Sequence, residues 1–102
     1  EAFILIGDFN AGRHHLDEDG QTFTCTHLLG QLAALGYSDA WREKNPESRQ
    51  FSWFSHEGGG FRIDHAFVSR TLAPRVSACW YSHKERESGL SDHSALMLDL
   101  DP

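Results

Sequence analysis

The sequence is short of cysteine, of positive charge and of long apolar runs. Its 102 residues include two cysteines, Cys25 and Cys79, too few for a disulfide framework and without the close spacing of a zinc site. We therefore expect two reduced thiols in a cytoplasmic protein. The longest apolar run, residues 2–6, is far too short to cross a bilayer, so no membrane partner is predicted.

Acidic residues outnumber basic ones, 15 to 9, giving a formal net charge of -6. Bulk charge therefore does not attract nucleic acid or anionic membrane. A local site for an anionic substrate is still allowed, because a bound metal ion contributes positive charge that the sequence does not count. The 39% hydrophobic content and seven Phe favour a folded chain over a disordered one, and the length allows one domain at most.

Apolar patterning predicts a mixed α/β layer. Residues 2–6, closed by Gly7, are typical of a strand buried on both faces. A helix with Thr22 or Thr24 as N-cap would carry a core-facing leucine stripe to Leu35 and end at Gly36. The later part predicts five further elements. They are a helical turn after residues 38–39, a β-hairpin over 51–69, a strand over 76–81, a charged loop over 83–89 and a half-buried strand over 94–100.

Polar side chains that suit hydrolysis follow the apolar strands in three places. These are Asp8 with Asn10, Arg62 with Asp64, and Asp92 with His93. Residues at strand ends can converge on one edge of a sheet. Because adjacent strand residues face opposite ways, Asp92 and His93 can share a site only if they lie in a bend before the last strand.

Each residue type has a chemical role in such a set. Asp92 is a hard oxygen ligand of the kind Mg²⁺ prefers, and Asp8 could polarise an attacking water. Asn10 could donate to the nucleophile or to a phosphate oxygen, and His93 to a non-bridging oxygen. Asp64 could accept from the other ring nitrogen of His93 and favour its protonated form.

Simpler interpretations stay open for each segment. Gly-Asp-x-Asn at residues 7–10 is also a common turn sequence, and Ser-Asp-His at 91–93 is also a common loop or cap. Arg62 and Asp64 could form a surface pair on one strand face. His14 and His15 are expected to be exposed loop residues, and the acidic residues 17–19 a solvated face.

Taken in order, the motifs resemble the endonuclease/exonuclease/phosphatase superfamily, and within it the exonuclease III and abasic-site endonuclease branch. The motifs are Gly-Asp-Phe-Asn at 7–10, Phe-Ser-Trp-Phe at 51–54, Phe-Arg-Ile-Asp at 61–64 and Gly-Leu-Ser-Asp-His-Ser at 89–94, with residues 35–42 as a further match. The resemblance implies that residues 1–102 are a single partial domain. That domain is the C-terminal part of a DNase I-like four-layer α/β sandwich, with a mainly antiparallel mixed sheet and helices on one face.

The resemblance also implies roles for the site residues. Asp8 would orient the nucleophile with Asn10 as its partner amide, and Asp64 would support the catalytic His93. Asp92 and Asp8 would hold Mg²⁺, or Mn²⁺ in its place.

The expected partner is DNA. Trp53, Phe61 and Ile63 match the apolar pocket that holds a sugar without its base, although the core of the hairpin is an equal alternative for all three. Arg62 is the best candidate for a phosphate contact, being on the same strand face as Asp64.

The family's metal-binding Glu and early Asn have no counterpart before Asp8. The chain alone is therefore expected to be inactive or nearly so, and to pair an exposed sheet face with a missing N-terminal half or with itself. The rival functions are another superfamily activity (a non-specific nuclease, phosphoinositide phosphatase or sphingomyelinase-like enzyme) and a non-catalytic binding or assembly module. The phosphoinositide phosphatases typically carry a Trp-Cys-Asp-Arg type segment where residues 61–64 lie, which counts against them.

Overall fold

The computed structural model describes residues 2–13, 16–18 and 26–102, which form an α/β arrangement of short strands and helices. The elements are β1 (Ile4–Asp8), α1 (His27–Ala34), β2 (Ser38–Asp39), α2 (Ala40–Lys44), β3 (Trp53–Phe54), β4 (Gly60–Phe61), β5 (Asp64–Val68), β6 (Val76–Ser82), α3 (Lys84–Glu87) and β7 (Ala95–Leu100). Within these residues the strands form three antiparallel sheets, ordered β1-β5-β2, β3-β4 and β6-β7. The predicted α/β class with antiparallel pairing is confirmed. His14, His15, Cys25 and the proposed N-caps Thr22 and Thr24 lie outside the described residues.

Strand β5 is the centre of the fold. It lies between β1 and β2, and each of its five residues is buried. Its Ala66 and Val68 belong to a core cluster with Trp41 of α2 and with Cys79 and Tyr81 of β6. Alternate leucines of β7 pack against this cluster while the residues between them are exposed, which confirms the half-buried final strand.

The prediction that the first strand is buried on both faces is wrong. All five residues of β1 are exposed, and Ile6 keeps 52% of its surface. The reason is its position, because β1 is the outer strand of its sheet and pairs only with β5 among the described residues. The first strand therefore presents an apolar surface and an unpaired edge in the part of the chain that the structure describes.

The leucine stripe of α1 is also less buried than its spacing predicts. Leu29 is buried, but Leu28 and Leu35 are exposed. The helix does end where expected, because Gly36 adopts the left-handed conformation with φ +95° directly after the Leu35 cap. Even this longest helix falls short of a membrane span, as do the others in the described part of the chain.

The predicted hairpin over residues 51–69 is divided between two sheets. Strand β3 pairs with β4, whereas β5 pairs with β1 and β2 instead. The intervening backbone bonds elsewhere, since Arg62 N donates to Asp17 O at 2.7 Å and Phe9 N donates to Ile63 O at 2.8 Å. This division moves Asp64 out of the hairpin and places it beside β1.

The first of the two short helices confirms a predicted cap, and the second replaces a predicted loop. Helix α2 starts as predicted, because the Asp39 carboxylate accepts from Arg42 N at 3.2 Å. The predicted charged loop over 83–89 contains α3 instead. Its backbone closes helical bonds from Glu87 N to His83 O and from Ser88 N to Lys84 O, each 2.9 Å long.

Candidate functional site

Three of the predicted site residues meet at the end of the central sheet. Asp8 ends β1 and Asp64 begins β5, and the antiparallel register places them directly opposite each other. His93 precedes β7 and forms an isolated bridge with Trp53 of β3. One ligand-type atom from each of Asp8, Asp64 and His93 lies within 4.8 Å of the other two. The three side chains therefore form one cluster from distant parts of the sequence.

The His93 ring lies between the two carboxylates. Its Nδ1 donates to Asp64 Oδ2 at 2.8 Å, and its Nε2 lies 3.8 Å from Asp8 Oδ2. Partial burial by itself lowers the pKa of His93, but the Asp64 hydrogen bond and charge outweigh it, with smaller contributions from Asp8 and Asp92. The pKa of His93 is therefore above its ordinary value of 6.5. A protonated imidazole in this place can donate from Nε2 to an anionic oxygen.

Asn10 shapes the backbone that follows Asp8. It adopts the left-handed conformation with φ +52°, and its backbone N–H donates to Asp8 Oδ1 at 2.8 Å. The segment is thus a turn, as the simpler interpretation holds, and that turn orients the Asp8 carboxylate. The Asn10 side chain is exposed, and its predicted role as a donor to substrate stays a prediction.

Asp92 lies in a bend before β7, as a shared site with His93 requires. Its carboxylate is exposed and is not part of the cluster that Asp8, Asp64 and His93 form. Its charge nevertheless acts on His93 and helps to raise the pKa of that ring. The predicted role of Asp92 as a metal ligand stays a prediction.

The three candidates for an apolar sugar pocket differ in exposure. Phe61 and Ile63 are buried, so the structure favours the core interpretation for both of them. Trp53 is half-buried, packs against Phe61 with ring centroids 5.7 Å apart, and pairs with His93 through the backbone. Trp53 is therefore the one of the three that keeps exposed surface next to the cluster.

The prediction of Arg62 as a phosphate contact is wrong. The residue has 0% exposed surface and lies over the Trp41 ring at 4.8 Å. Its Nε donates to Asp17 Oδ1 at 2.7 Å and its Nη2 to Asp39 Oδ2 at 2.5 Å. Arg62 is not on the Asp64 face of a regular strand, because the backbone leaves β4 before it and enters β5 after it. Its side chain is committed to the interior.

The expectation of a solvated acidic face at residues 17–19 is also wrong for the two described members. Asp17 and Glu18 are buried, and Asp17 accepts from Arg42 Nη2 as well as from Arg62. Burial opposes the charge of Asp17, but the hydrogen bonds and charge of Arg62, with help from Arg13 and Arg42, hold its pKa below 3.8. Two buried arginines are thus balanced by Asp17 and Asp39.

The buried ionic network reaches the cluster through Tyr81. The Tyr81 hydroxyl accepts from Arg62 Nη1 at 3.2 Å and donates to the Asp64 carbonyl at 2.5 Å. Burial, opposed by Arg62, raises the pKa of Tyr81, so the hydroxyl stays protonated and able to donate. Sequence reasoning missed this network entirely. The alternation of β6 offered the one signal, because it places Tyr81 on the same inward face as Cys79.

The donor set suits a hydrated Mg²⁺ better than a fully coordinated ion. Mg²⁺ binds through one or two carboxylates and keeps several waters, and Asp8 offers a carboxylate with 40% of its side chain exposed. The Asp64 oxygen nearest the ring is hydrogen-bonded to His93, and a protonated His93 has no lone pair for a metal. Asp8 is therefore the residue of the cluster that best fits the ion.

Comparison with known proteins gives the fold. No family model and no curated protein matches the chain. The similar solved structures include a 3′ phosphatase, NExo, from Neisseria bound to a product DNA hairpin, with 24% identity and a TM-score of 0.85. They also include a 3′-5′ exonuclease, NExo, from Neisseria meningitidis, with 25% identity and a TM-score of 0.84. Each alignment covers 99% of this chain but 46% of the other chain. The chain thus has the fold of the C-terminal part of a DNase I-like exonuclease and spans under half the length of those structures.

Proposed function

We propose that the chain carries part of the active site of a metal-dependent phosphodiesterase that acts on DNA. The observation that carries the proposal is the His93 ring held between Asp64 and Asp8 at the open end of a DNase I-like sheet. A protonated imidazole flanked by two carboxylates has the groups that phosphate-ester hydrolysis needs. A carboxylate can act as a base toward water, and the imidazole can donate a hydrogen bond to the charge that grows on phosphate.

Each member of the cluster has a separate task in this proposal. Asp8 accepts a proton from, or orients, the attacking water, because its exposed oxygen is open to solvent. His93 donates from Nε2 to a non-bridging phosphate oxygen and stabilises its growing charge. Asp64 holds Nδ1 of His93 by a 2.8 Å hydrogen bond, which fixes the ring and favours its protonated form.

The proposed cofactor is Mg²⁺, with Mn²⁺ as a substitute. Asp8 would hold the ion, with Asp92 as a second candidate ligand because it adjoins His93 and is exposed. Such an ion supplies positive charge that neutralises the phosphate and acidifies a bound water. Its charge also answers the objection that a chain of net charge -6 repels DNA.

DNA is the proposed substrate because of the similar structures, one of which is bound to a product DNA hairpin. Cleavage in the manner of exonuclease III, at 3′ ends or at abasic sites, is the proposed specificity. Of the three candidates for a sugar pocket, Phe61 and Ile63 are buried and Trp53 keeps exposed surface, so cleavage at 3′ ends is favoured over the abasic-site reaction.

The chain alone is proposed to be slow. It spans 46% of the length of the similar structures, and only Asp8 in the cluster has a well-exposed carboxylate for a metal. The alternative of a non-catalytic assembly module is supported by a different observation, the exposed apolar first strand.

A single-turnover cleavage assay tests the proposal. The chain is mixed in excess with labelled duplexes that carry a 3′ phosphate, a recessed 3′ end or a tetrahydrofuran abasic analogue, with Mg²⁺ or Mn²⁺. We expect slow, metal-dependent cleavage that His93→Gln and Asp8→Asn abolish and that Asp99→Asn, at an exposed acid of β7, leaves intact. Cleavage that survives His93→Gln contradicts the assignment of the site. Absence of cleavage on all three duplexes, together with stable self-association through β1, favours the assembly module.

A further inference from the structure

The backbone of Asp64 is held at both of its polar groups by buried side chains from other elements. Ser52 has 0% exposed surface, and its hydroxyl accepts from Asp64 N at 3.3 Å. Tyr81 is also buried, and its hydroxyl donates to the Asp64 carbonyl at 2.5 Å. A strand residue usually satisfies these groups with neighbouring strands. Here the first residue of β5 depends on two hydroxyls instead.

Ser52 also connects the chain segments that carry Asp64 and His93, the two side chains joined by the 2.8 Å hydrogen bond. Its hydroxyl accepts from Ile63 N at 3.1 Å, immediately before Asp64. Its own carbonyl accepts from Ser94 N at 2.8 Å, immediately after His93. One residue therefore fixes both the segment that carries the carboxylate and the segment that carries the imidazole.

Tyr81 is oriented in turn by the buried arginine. Arg62 Nη1 donates to the Tyr81 oxygen at 3.2 Å, so the hydroxyl proton points away from the guanidinium and toward the Asp64 carbonyl. Arg62 is itself fixed by contacts to Asp17 and Asp39. A planar guanidinium held by two carboxylates has little freedom to move, so the orientation of Tyr81 is well determined.

A purely stabilising role does not explain this arrangement. Buried ion pairs add little net stability over well-packed apolar residues, because desolvation offsets their attraction. The Tyr81 ring packs on Trp41 with centroids 5.3 Å apart, and Phe in its place would keep that packing. The hydroxyl adds the hydrogen bond that orients the Asp64 backbone.

We propose that Ser52 and Tyr81 are positioning residues that clamp the Asp64 backbone and thereby hold its carboxylate on His93 Nδ1. The proposal rests on the proposed function for its catalytic meaning, since the pair it positions is the pair assigned to phosphate-ester hydrolysis. A displacement of Asp64 by a fraction of an ångström would lengthen the 2.8 Å hydrogen bond and free the ring to turn.

The test is the NMR signal of the His93 Nδ1 proton, which a hydrogen bond to a carboxylate moves downfield and protects from exchange with water. In Tyr81→Phe we expect this signal to move upfield and its exchange to become about fivefold faster, the factor that loss of one ordinary hydrogen bond corresponds to. Ser52→Ala should act in the same direction. Cys79→Ala is the matched control, because it also truncates a buried side chain of β6, whereas the side-chain hydrogen bonds described for the Asp64 backbone come from Ser52 and Tyr81.

The outcomes separate positioning from general stability. A folded Tyr81→Phe chain whose His93 signal matches the wild type overturns the proposal, as does an equal change in Cys79→Ala. If Tyr81→Phe fails to fold, the exchange rate of the Tyr81 hydroxyl proton in the wild-type chain tests the proposal instead. A slowly exchanging signal close to the Asp64 backbone supports the clamp, and rapid exchange with water overturns it. None of these measurements needs substrate or metal. The positioning role can therefore be refuted while the proposed function stands, and the proposed function can be refuted while the positioning role stands.

Discussion

Replacing Arg62 by Ala removes the centre of the buried ionic network. The residue has 0% exposed surface, as does Asp17, and each of its nitrogens contacts Asp17, Asp39 or Tyr81. The substitution leaves Asp17 buried with a single remaining arginine and leaves Asp39 without its 2.5 Å contact. Removing one partner of a buried pair costs about 3–5 kcal/mol. A chain of this size is stable by about 5–15 kcal/mol, so Arg62→Ala should lose a large part of the total.

Urea unfolding followed by tryptophan fluorescence measures this loss. With a slope of about 1–3 kcal/mol per molar urea, the midpoint should fall by at least 1 M. Arg75→Ala is the matched control, because Arg75 is an exposed arginine that donates to the Asp101 carbonyl and its loss should cost under about 0.5 kcal/mol. A loss under about 1 kcal/mol in Arg62→Ala, the range of a surface ion pair, would refute the assignment of Arg62 to the interior.

Three further predictions concern other parts of the chain. The pKa of His93 lies above 6.5 in the folded chain, so protonation of His93 stabilises the fold fully below about pH 6.5, and this stabilisation is lost as the pH rises through the folded pKa. In Asp64→Asn, NMR titration should show a lower His93 pKa, and the free energy of unfolding in urea should depend less on pH. Gly60→Ala should lower the free energy of unfolding in urea by about 1–3 kcal/mol, because a Cβ there would lie 2.4 Å from an aromatic carbon. Gly30→Ala should instead stabilise α1 by about 0.5–1 kcal/mol, because a Cβ there meets no atom within 4 Å. Light scattering should show self-association through β1 that Ile6→Lys reduces, and a monomeric wild type would contradict it.

Local signals in the sequence predicted the parts of the fold that local chemistry decides. Asp39 begins α2 because its carboxylate caps the helix, and Gly36 ends the preceding helix through its positive φ. The alternation of β7 follows from its one buried face. These features depend on neighbouring residues, which a sequence displays directly.

Burial was harder to predict because it depends on partners that are distant in sequence. The apolar run in β1 has the composition of a strand covered on both faces, yet in the described residues it lies at the edge of its sheet. Arg62 and Asp17 have the composition of surface residues, yet they neutralise each other 45 positions apart in the interior. A charged residue shows no sign in the sequence of a partner that far away.

The site could be predicted from the sequence where its residues belong to short motifs. Asp8, Asp64 and His93 were named from strand ends, and the structure brings them together. Arg62 was assigned to the site by strand alternation, which failed because the backbone is irregular between β4 and β5. Tyr81 belongs to no motif, and Ser52 lies within the Phe-Ser-Trp-Phe match at 51–54 without a predicted role, because a hydroxyl that positions a backbone resembles any other buried hydroxyl.

The position at which a divalent ion binds is the sharpest test of the proposed site. Mn²⁺ at substoichiometric amounts broadens the NMR signals of nuclei near it. We predict the strongest broadening at Asp8, Asp64 and His93, with loss of the effect in Asp8→Asn. Broadening centred instead on other exposed acids, such as Asp99 or Glu87, would contradict the claim that these three residues form the metal-assisted phosphodiesterase site.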